Sequence, residues 1–147
     1  MRDSMKTNTL PPFHLAFPVD DLAQARAFYR DLLGCTEGRS ADTWVDFNFF
    51  GHQIVAHLAS AAPGRHASGD VDAEKVPVPH FGVILAMPDW QRLADRLRAA
   101  GVAFLLEPQV RFVGRPGEQA TLFVLDPSGN ALEFKAFADP RAVFATD

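Results

Sequence analysis

Two stretches of this chain decide its fold: Phe13-His14-Leu15-Ala16-Phe17-Pro18-Val19-Asp20-Asp21-Leu22 and Pro79-His80-Phe81-Gly82-Val83-Ile84-Leu85-Ala86-Met87-Pro88-Asp89-Trp90. Each reads as a strand that begins at a histidine and runs into the start of a helix carrying an Asp. An acidic residue there can accept hydrogen bonds from free N–H groups and suits the positive end of the helix dipole. Similar stretches at a spacing of more than sixty residues announce an internal repeat.

The residues that follow repeat as well. Leu22, Ala25, Phe28, Tyr29, Leu32 and Leu33 fall on one face at helical spacing, and Gly34 stops the helix. Trp90, Leu93, Ala94, Leu97 and Ala100 form the matching stripe, stopped by Gly101. Strand-like segments come next: Trp44 to Phe50 and Gln53 to Leu58 in the first half, then Ala103 to Leu106, Gln119 to Leu125 and Ala131 to Phe137 in the second. Asp126-Pro127-Ser128-Gly129-Asn130 is a strong turn, and Phe50-Gly51-His52 holds the equivalent place. The Pro- and Gly-containing stretch between the halves has little periodicity and reads as a linker.

Each half is too small to be comfortable alone, so the two are expected to pack into one unit. The expected fold is α+β, two tandem βαβββ modules forming an open, curled mixed sheet around a metal-binding cleft. One domain spans 12–137, with module one at 12–60, the linker at 61–78 and module two at 79–137; tails occupy 1–11 and 138–147.

Bulk properties bound the function. The chain has 147 residues, 48% of them hydrophobic, so a core can be buried. Its net charge of −4 leaves no electrostatic footprint for nucleic acid or for an anionic membrane surface. No apolar stretch approaches the ~18 residues a membrane span needs, and the first ten residues show no apolar signal segment. The single cysteine, Cys35, permits no internal disulfide and fits a reducing compartment, so a cytoplasmic protein is expected. Thirteen Phe stand against one Tyr. Apolar rings are mostly core, though some could line a pocket.

Strand alternation places the polar residues. His14 shares a face with Ala16, His80 with Gly82, and Glu133 with Ala131, while bulky residues take the opposite faces. A lone strand histidine is ordinarily hydrogen-bonded or exposed, and a lone glutamate solvated. Two histidines at equivalent points of a repeat plus a carboxylate on the last strand suit a divalent transition metal with open positions. The residues alone leave both readings open.

The paired pattern resembles the vicinal-oxygen-chelate superfamily, which includes glyoxalase I, extradiol dioxygenases and bleomycin- or fosfomycin-resistance proteins. The resemblance covers about residues 12 to 137 and rests on the two His-containing strands, Phe28-Tyr29 with Leu32-Leu33-Gly34, and Asp126-Pro127-Ser128-Gly129-Asn130-Ala131-Leu132-Glu133-Phe134. Phe13 to Val19 and Gly51-His52-Gln53-Ile54-Val55-Ala56-His57-Leu58 are similar to a branch labelled predicted dioxygenases of the extradiol type.

The resemblance implies metal ligands at His14, His80 and Glu133 and a divalent ion, Fe, Mn, Zn or Ni. The remaining ligand position falls on the strand holding Val55 and His57. Glu133 is four residues past Gly129, and the same count from Gly51 reaches Val55; His57 lies on the same face. Glyoxalase I-like enzymes use a carboxylate there, and this strand has none, which places a glyoxalase-like isomerase or thiol transferase second. Extradiol dioxygenases use two His and one carboxylate, as here. His57 is then an acid or base near the substrate, or a fourth ligand.

The function implied is a metal-dependent enzyme on a small substrate with vicinal oxygens, extradiol-dioxygenase-like. The alternative of another class is a metal-free, resistance-type binding protein. A homodimer is expected, since such sheets often complete a cleft with a second copy.

Other polar residues carry blander expectations. His52 is structural and His66 solvated. Tyr29 belongs to the core, and Cys35 follows a helix C-terminus, where the dipole does not favour a thiolate. The loop around Gly114-Arg115-Pro116-Gly117, with Arg111 and Glu118, is a solvated hairpin or a cover over the pocket.

Overall fold

A computed structural model of the chain describes residues 10–59, 67–71 and 74–146. Module one runs β1 (His14–Val19), α1 (Leu22–Arg26), a π-helical continuation (Ala27–Leu32), β2 (Thr36–Ala41), β3 (Trp44–Phe49) and β4 (His52–Leu58). After it come β5 (Ala67–Val71) and β6 (Glu74–Val78), paired as an antiparallel ribbon. Module two runs β7 (Phe81–Ile84), α2 (Met87–Ala99), β8 (Phe104–Arg111), β9 (Gln119–Leu125) and β10 (Ala131–Phe137), and a 3-10 turn at Pro140–Ala142 closes the chain.

The strand orders are β1-β4-β3-β2 and β7-β10-β9-β8. In both sheets the first strand pairs in parallel with the last, and the other pairs are antiparallel. The repeat read from the two His-containing stretches is thus a repeat of topology: two open, mixed, four-stranded sheets.

Local chemistry sets the boundaries. Asp21 caps α1, its carboxylate accepting from the Gln24 amide at 3.0 Å. The second module uses a different start: Ala86 holds the cap position without a side-chain bond, Pro88 supplies the fixed φ of the first turn, and Asp89 pairs with Arg92 inside it. Gly34 and Gly101 end the helices at φ +81° and +73°, a region that favours glycine.

β2 was not visible in the sequence pattern. Its residues Thr36-Glu37-Gly38-Arg39-Ser40-Ala41 lie at a sheet edge, largely exposed, so nothing selects an apolar alternation. The β5–β6 ribbon lies within the Pro- and Gly-containing stretch whose lack of periodicity reads as a linker.

The core lies between the sheets and the helices. Phe17, Val19, Phe47 and Ile54 of the first sheet meet Trp90, Leu97, Leu122 and Phe134 of the second module in one buried cluster. Trp90 adds a hydrogen bond from its indole N–H to the Phe134 carbonyl at 2.9 Å.

A polar clamp ties the modules. Asp126 is 4% exposed, and its carboxylate accepts from the backbone N–H of Ser128 (2.9 Å) and Asn130 (2.8 Å), the Asn130 amide (2.9 Å) and the Tyr29 hydroxyl (2.8 Å). Asn130 also donates to the Pro18 carbonyl (2.8 Å), and the Ser128 hydroxyl donates to Asp20 (2.8 Å). The second module's last turn is therefore fastened to the end of β1. Tyr29 is fully buried and its pKa is pushed well above the usual value, by desolvation first and by the Asp126 carboxylate second.

Removing the acceptor strands several buried donors at once, whereas removing one donor loses a single bond. Asp126→Ala is expected to cost about 3 kcal/mol or more, and Tyr29→Phe about 1 kcal/mol. Urea unfolding of the two variants checks this; equal losses would show that the carboxylate is not the hub.

Candidate metal centre

Register fixes which residues face the same way. On the first sheet His14 lies opposite Gln53, Ala16 opposite Val55 and Pro18 opposite His57. Asp46 lies opposite Val55, and Trp44 opposite His57. This face is the open one on β1, where His14, Ala16 and Pro18 are exposed while Phe17 and Val19 are buried. On the second sheet Gly82 lies opposite Glu133 and Ile84 opposite Lys135 on one side, and Phe123 opposite Glu133 and Thr121 opposite Lys135 on the other.

His80 and Glu133 come together. Nε2 of His80 lies 3.3 Å from Oε1 of Glu133. Adjacent donors bound at about 2.1 Å to one ion stand about 3.0–3.4 Å apart, so the spacing suits two neighbouring ligands. Glu133 is 8% exposed, and its other oxygen, Oε2, accepts from the Thr121 hydroxyl at 2.5 Å. One carboxylate oxygen is anchored and the other is presented to the histidine.

The His80 ring is held as firmly. Its Nδ1–H donates to the Pro77 carbonyl at 2.7 Å, and its ring meets Phe123 edge-on at 4.9 Å. A carbonyl can only accept, so Nδ1 carries a proton and Nε2, on the side of Glu133, is the ring nitrogen left for a ligand bond. Val76 of β6 packs with Leu106 and Phe123, bringing the ribbon down over this part of the sheet.

His14 is prepared in the same manner but stands elsewhere. Its Nδ1 pairs with Oε1 of Gln53 at 2.8 Å, and Gln53 turns its amide nitrogen toward Asp46 at 3.4 Å. Asp46 only accepts, which orients the Gln53 amide and puts the His14 proton on Nδ1. Outer partners of this kind commonly set the tautomer of metal-binding histidines. Within one chain His14 does not join His80 and Glu133. Among the described residues no three His, Cys, Asp or Glu side chains converge as a metal-ligand set.

The register also resolves the count from the turn glycines. Ala16 opposite Val55 corresponds to Gly82 opposite Glu133, each two residues past its histidine, so the counterpart of Glu133 is Val55, buried at 6% exposure. His57 lies two residues further along the same face and is exposed.

A cleft of about 840 Å3 adjoins His80 and Glu133, walled by residues that include Phe13, Phe81, Ile84 and Lys135. Its size suits a small organic ligand. His52 also lines this cleft, while its Nδ1 accepts from the Phe13 amide at 2.9 Å, a role in holding the backbone. Lys135 is the functional candidate that sequence reasoning missed; its alternation with Glu133 along β10 was the available signal. Arg111, Arg115 and Glu118 stand outside the cleft wall, and Glu118 instead accepts from the Gly114 amide at 2.8 Å. Cys35 is buried and its thiol is pushed up to about 12, chiefly by desolvation, so it is no nucleophile. His66 lies outside the described residues.

Residues 12–134 match the model of the Glyoxalase/Bleomycin resistance protein/Dioxygenase superfamily. The chain belongs to this superfamily. Among solved structures it is similar to a glyoxalase/bleomycin resistance protein/dioxygenase from Alicyclobacillus acidocaldarius, with 32% identity, TM-score 0.75, and 91% of this chain and 96% of that chain covered. It shares its fold with the genomically encoded fosfomycin resistance protein FosX from Listeria monocytogenes (17% identity, TM-score 0.67, 91% and 98% covered). It also shares it with the virulence protein STM3117 from Salmonella typhimurium (21% identity, TM-score 0.61, 88% and 98% covered). The comparison with curated proteins gave no match. No helix among the described residues is long and apolar enough to cross a membrane.

Gly82 makes the close approach of β7 and β10 possible. A Cβ built there would stand 1.5 Å from the Glu133 carbonyl oxygen, a contact only backbone movement can relieve. Gly82→Ala is expected to displace Glu133 and cost about 3 kcal/mol. Thermal unfolding checks this: a variant with wild-type Tm would show that the strands separate freely at this point.

Proposed function

We propose that the protein is a divalent-metal-dependent enzyme acting on a small substrate with two adjacent oxygens, by chemistry of the extradiol-dioxygenase type. The observation that carries this reading is the matched preparation of the two histidines. His14 and His80 both have Nδ1 engaged and Nε2 left for a ligand bond, and Glu133 presents one oxygen beside His80. Two histidines and one carboxylate suit Fe(II) or Mn(II), with Zn or Ni as the other ions such donors accept. The bound ion would supply Lewis acidity and a template for the two substrate oxygens. Val55 in place of a fourth ligand leaves positions free for substrate and disfavours a glyoxalase-like isomerisation, which needs a carboxylate there.

The protein's own groups do the rest. Thr121 holds Oε2 of Glu133, Pro77 and Gln53 hold the rings, and the apolar cleft wall excludes water from a bound aromatic ring. The reaction proposed is cleavage of a ring carbon–carbon bond beside the diol, with O₂ as oxidant and both of its atoms retained in the product. His57 is not on the cleft wall of its own chain and lies on the sheet face that bears His14, so it is assigned the role of acid or base toward the substrate held by the partner subunit. The lone buried Cys35 fits a cytoplasmic setting.

The complete site needs a homodimer, with His14 of the partner subunit joining His80 and Glu133. Two features support this. The His14 face of the first sheet is open, and large apolar side chains around the cleft are exposed, Phe13 at 63% and Phe144 at 92%. A metal-free, resistance-type binding protein is the second reading, favoured by the apolar character of the same cleft.

Protein purified without chelators is expected to carry near-stoichiometric metal by elemental analysis, lost in folded His14→Ala and Glu133→Ala. Refolding an equal mixture of those two variants would rebuild one intact site in each heterodimer and return about a quarter of the wild-type metal. No recovery would place the ligands in one chain. Wild-type protein that refuses added divalent ions would transfer the assignment to apolar ligand binding. His57→Ala is expected to keep its metal while losing at least about tenfold in turnover; unchanged turnover, or loss of metal, would remove the acid–base role.

A further inference from the structure

Lys135 stands two residues beyond Glu133 on the same face of β10, opposite Ile84 and Thr121. Its side chain is one-third exposed and lines the cleft, with Nζ 3.9 Å from Oε1 of Glu133. That oxygen is the one facing His80. Among the described residues the other cation on the cleft wall, Arg141, is committed to Asp139 through two hydrogen bonds of 3.1 Å. The remaining wall beside Lys135 is largely apolar, with Phe13, Phe81, Val83 and Ile84.

An ammonium on an apolar cleft wall, only one-third exposed, gains from a nearby anion that replaces the hydration it has lost. Among the described residues the acid beside Lys135 is Glu133, and the proposed function gives that oxygen to a metal ion. Once Oε1 serves a dication, it no longer balances Lys135. A substrate that brings its own negative charge restores the balance, and a neutral one leaves two positive centres adjacent. The flanking phenylalanines and Ile84 favour an aromatic body over a sugar-like one.

We propose that Lys135 is the specificity-determining residue and that the cleft takes an aromatic ortho-diol carrying a carboxylate next to the diol. The two hydroxyl oxygens lie at the His80–Glu133 end and the carboxylate accepts from Lys135 Nζ. The inference rests on the metal–diol reading for the placement of the diol, but the anion site itself rests on the cleft and the lysine.

Calorimetric titration of the full-length protein, metal-loaded and metal-free, with 2,3-dihydroxybenzoate, catechol and benzoate tests it. Wild type is expected to bind the dihydroxy acid about tenfold tighter than catechol. Lys135→Met, which keeps the apolar stem, should erase that preference by weakening the dihydroxy acid, with catechol bound at least as tightly as by wild type, and Lys135→Arg should largely retain it. A circular dichroism spectrum matching wild type establishes that Lys135→Met is folded; if it is not, the Arg variant and a Lys135→Gln variant carry the comparison. Equal affinity of wild type for acid and catechol, or a preference surviving in Lys135→Met, overturns the proposal. Benzoate binding to metal-free protein that depends on Lys135, with no catechol binding to the loaded form, would sink the metal–diol reading and leave the anion site standing.

Discussion

The buried carboxylate of Asp126 is the constraint on which the rest of the molecule hangs. It sits in the turn before the last strand and gathers donors from that turn and from the π-helical segment of the other module. A charge taken out of water is tolerated only where hydrogen bonds replace its hydration, and here they come from two separate parts of the chain. Satisfying the carboxylate therefore requires the modules to be docked. The same turn launches β10, so the position of Glu133 along its strand follows from how Asp126 is held.

From that anchor the site is built by alternation. A β strand turns every second residue to one side, so one face of each sheet supplies the common core and the other is free for ligands. The bulky Phe17, Ile54 and Phe134 fill the shared interior, and His14, Glu133 and Lys135 are left on the opposite faces. The two faces then part company. β6 lowers Val76 onto Phe123 in module two, and β1 keeps its polar side in solvent. A duplicated architecture thereby acquires two unlike halves, one sheltered and bearing a paired His and Glu, the other open and bearing His14 and His57 on separate strands.

Much of this was legible in the amino-acid order, and what was not has physical causes. The repeat, both helices, five of the strands after them and the turn at Asp126 showed because burial imposes a period on apolar residues. The sides taken by His14, His80 and Glu133 followed from the same period, and the match of Val55 with Glu133 from counting past Gly51 and Gly129, which the ladder register reproduces. β2 stayed hidden because an exposed edge places no demand on side-chain polarity. The start of α2 at Ala86, with Asp89 inside its first turn, could not be told from the capped start of α1, since both sequences offer an Asp within three residues. Which ligands meet within one chain depends on how the sheets face each other, and strand alternation says nothing about that. The hydrogen-bond partners that fix the two imidazoles are also tertiary: Gln53 is 39 residues from His14, and Pro77 reaches back by a bend in the backbone.

The depth at which Cys35 lies also bears on how the protein withstands oxidants. With its thiol pushed up to about 12, the thiolate fraction near neutral pH is on the order of one part in 10⁵. Peroxide and disulfide exchange both act on the thiolate, so the chain's one sulfhydryl is close to inert toward them. Crosslinking of two copies of the chain through Cys35 is accordingly disfavoured.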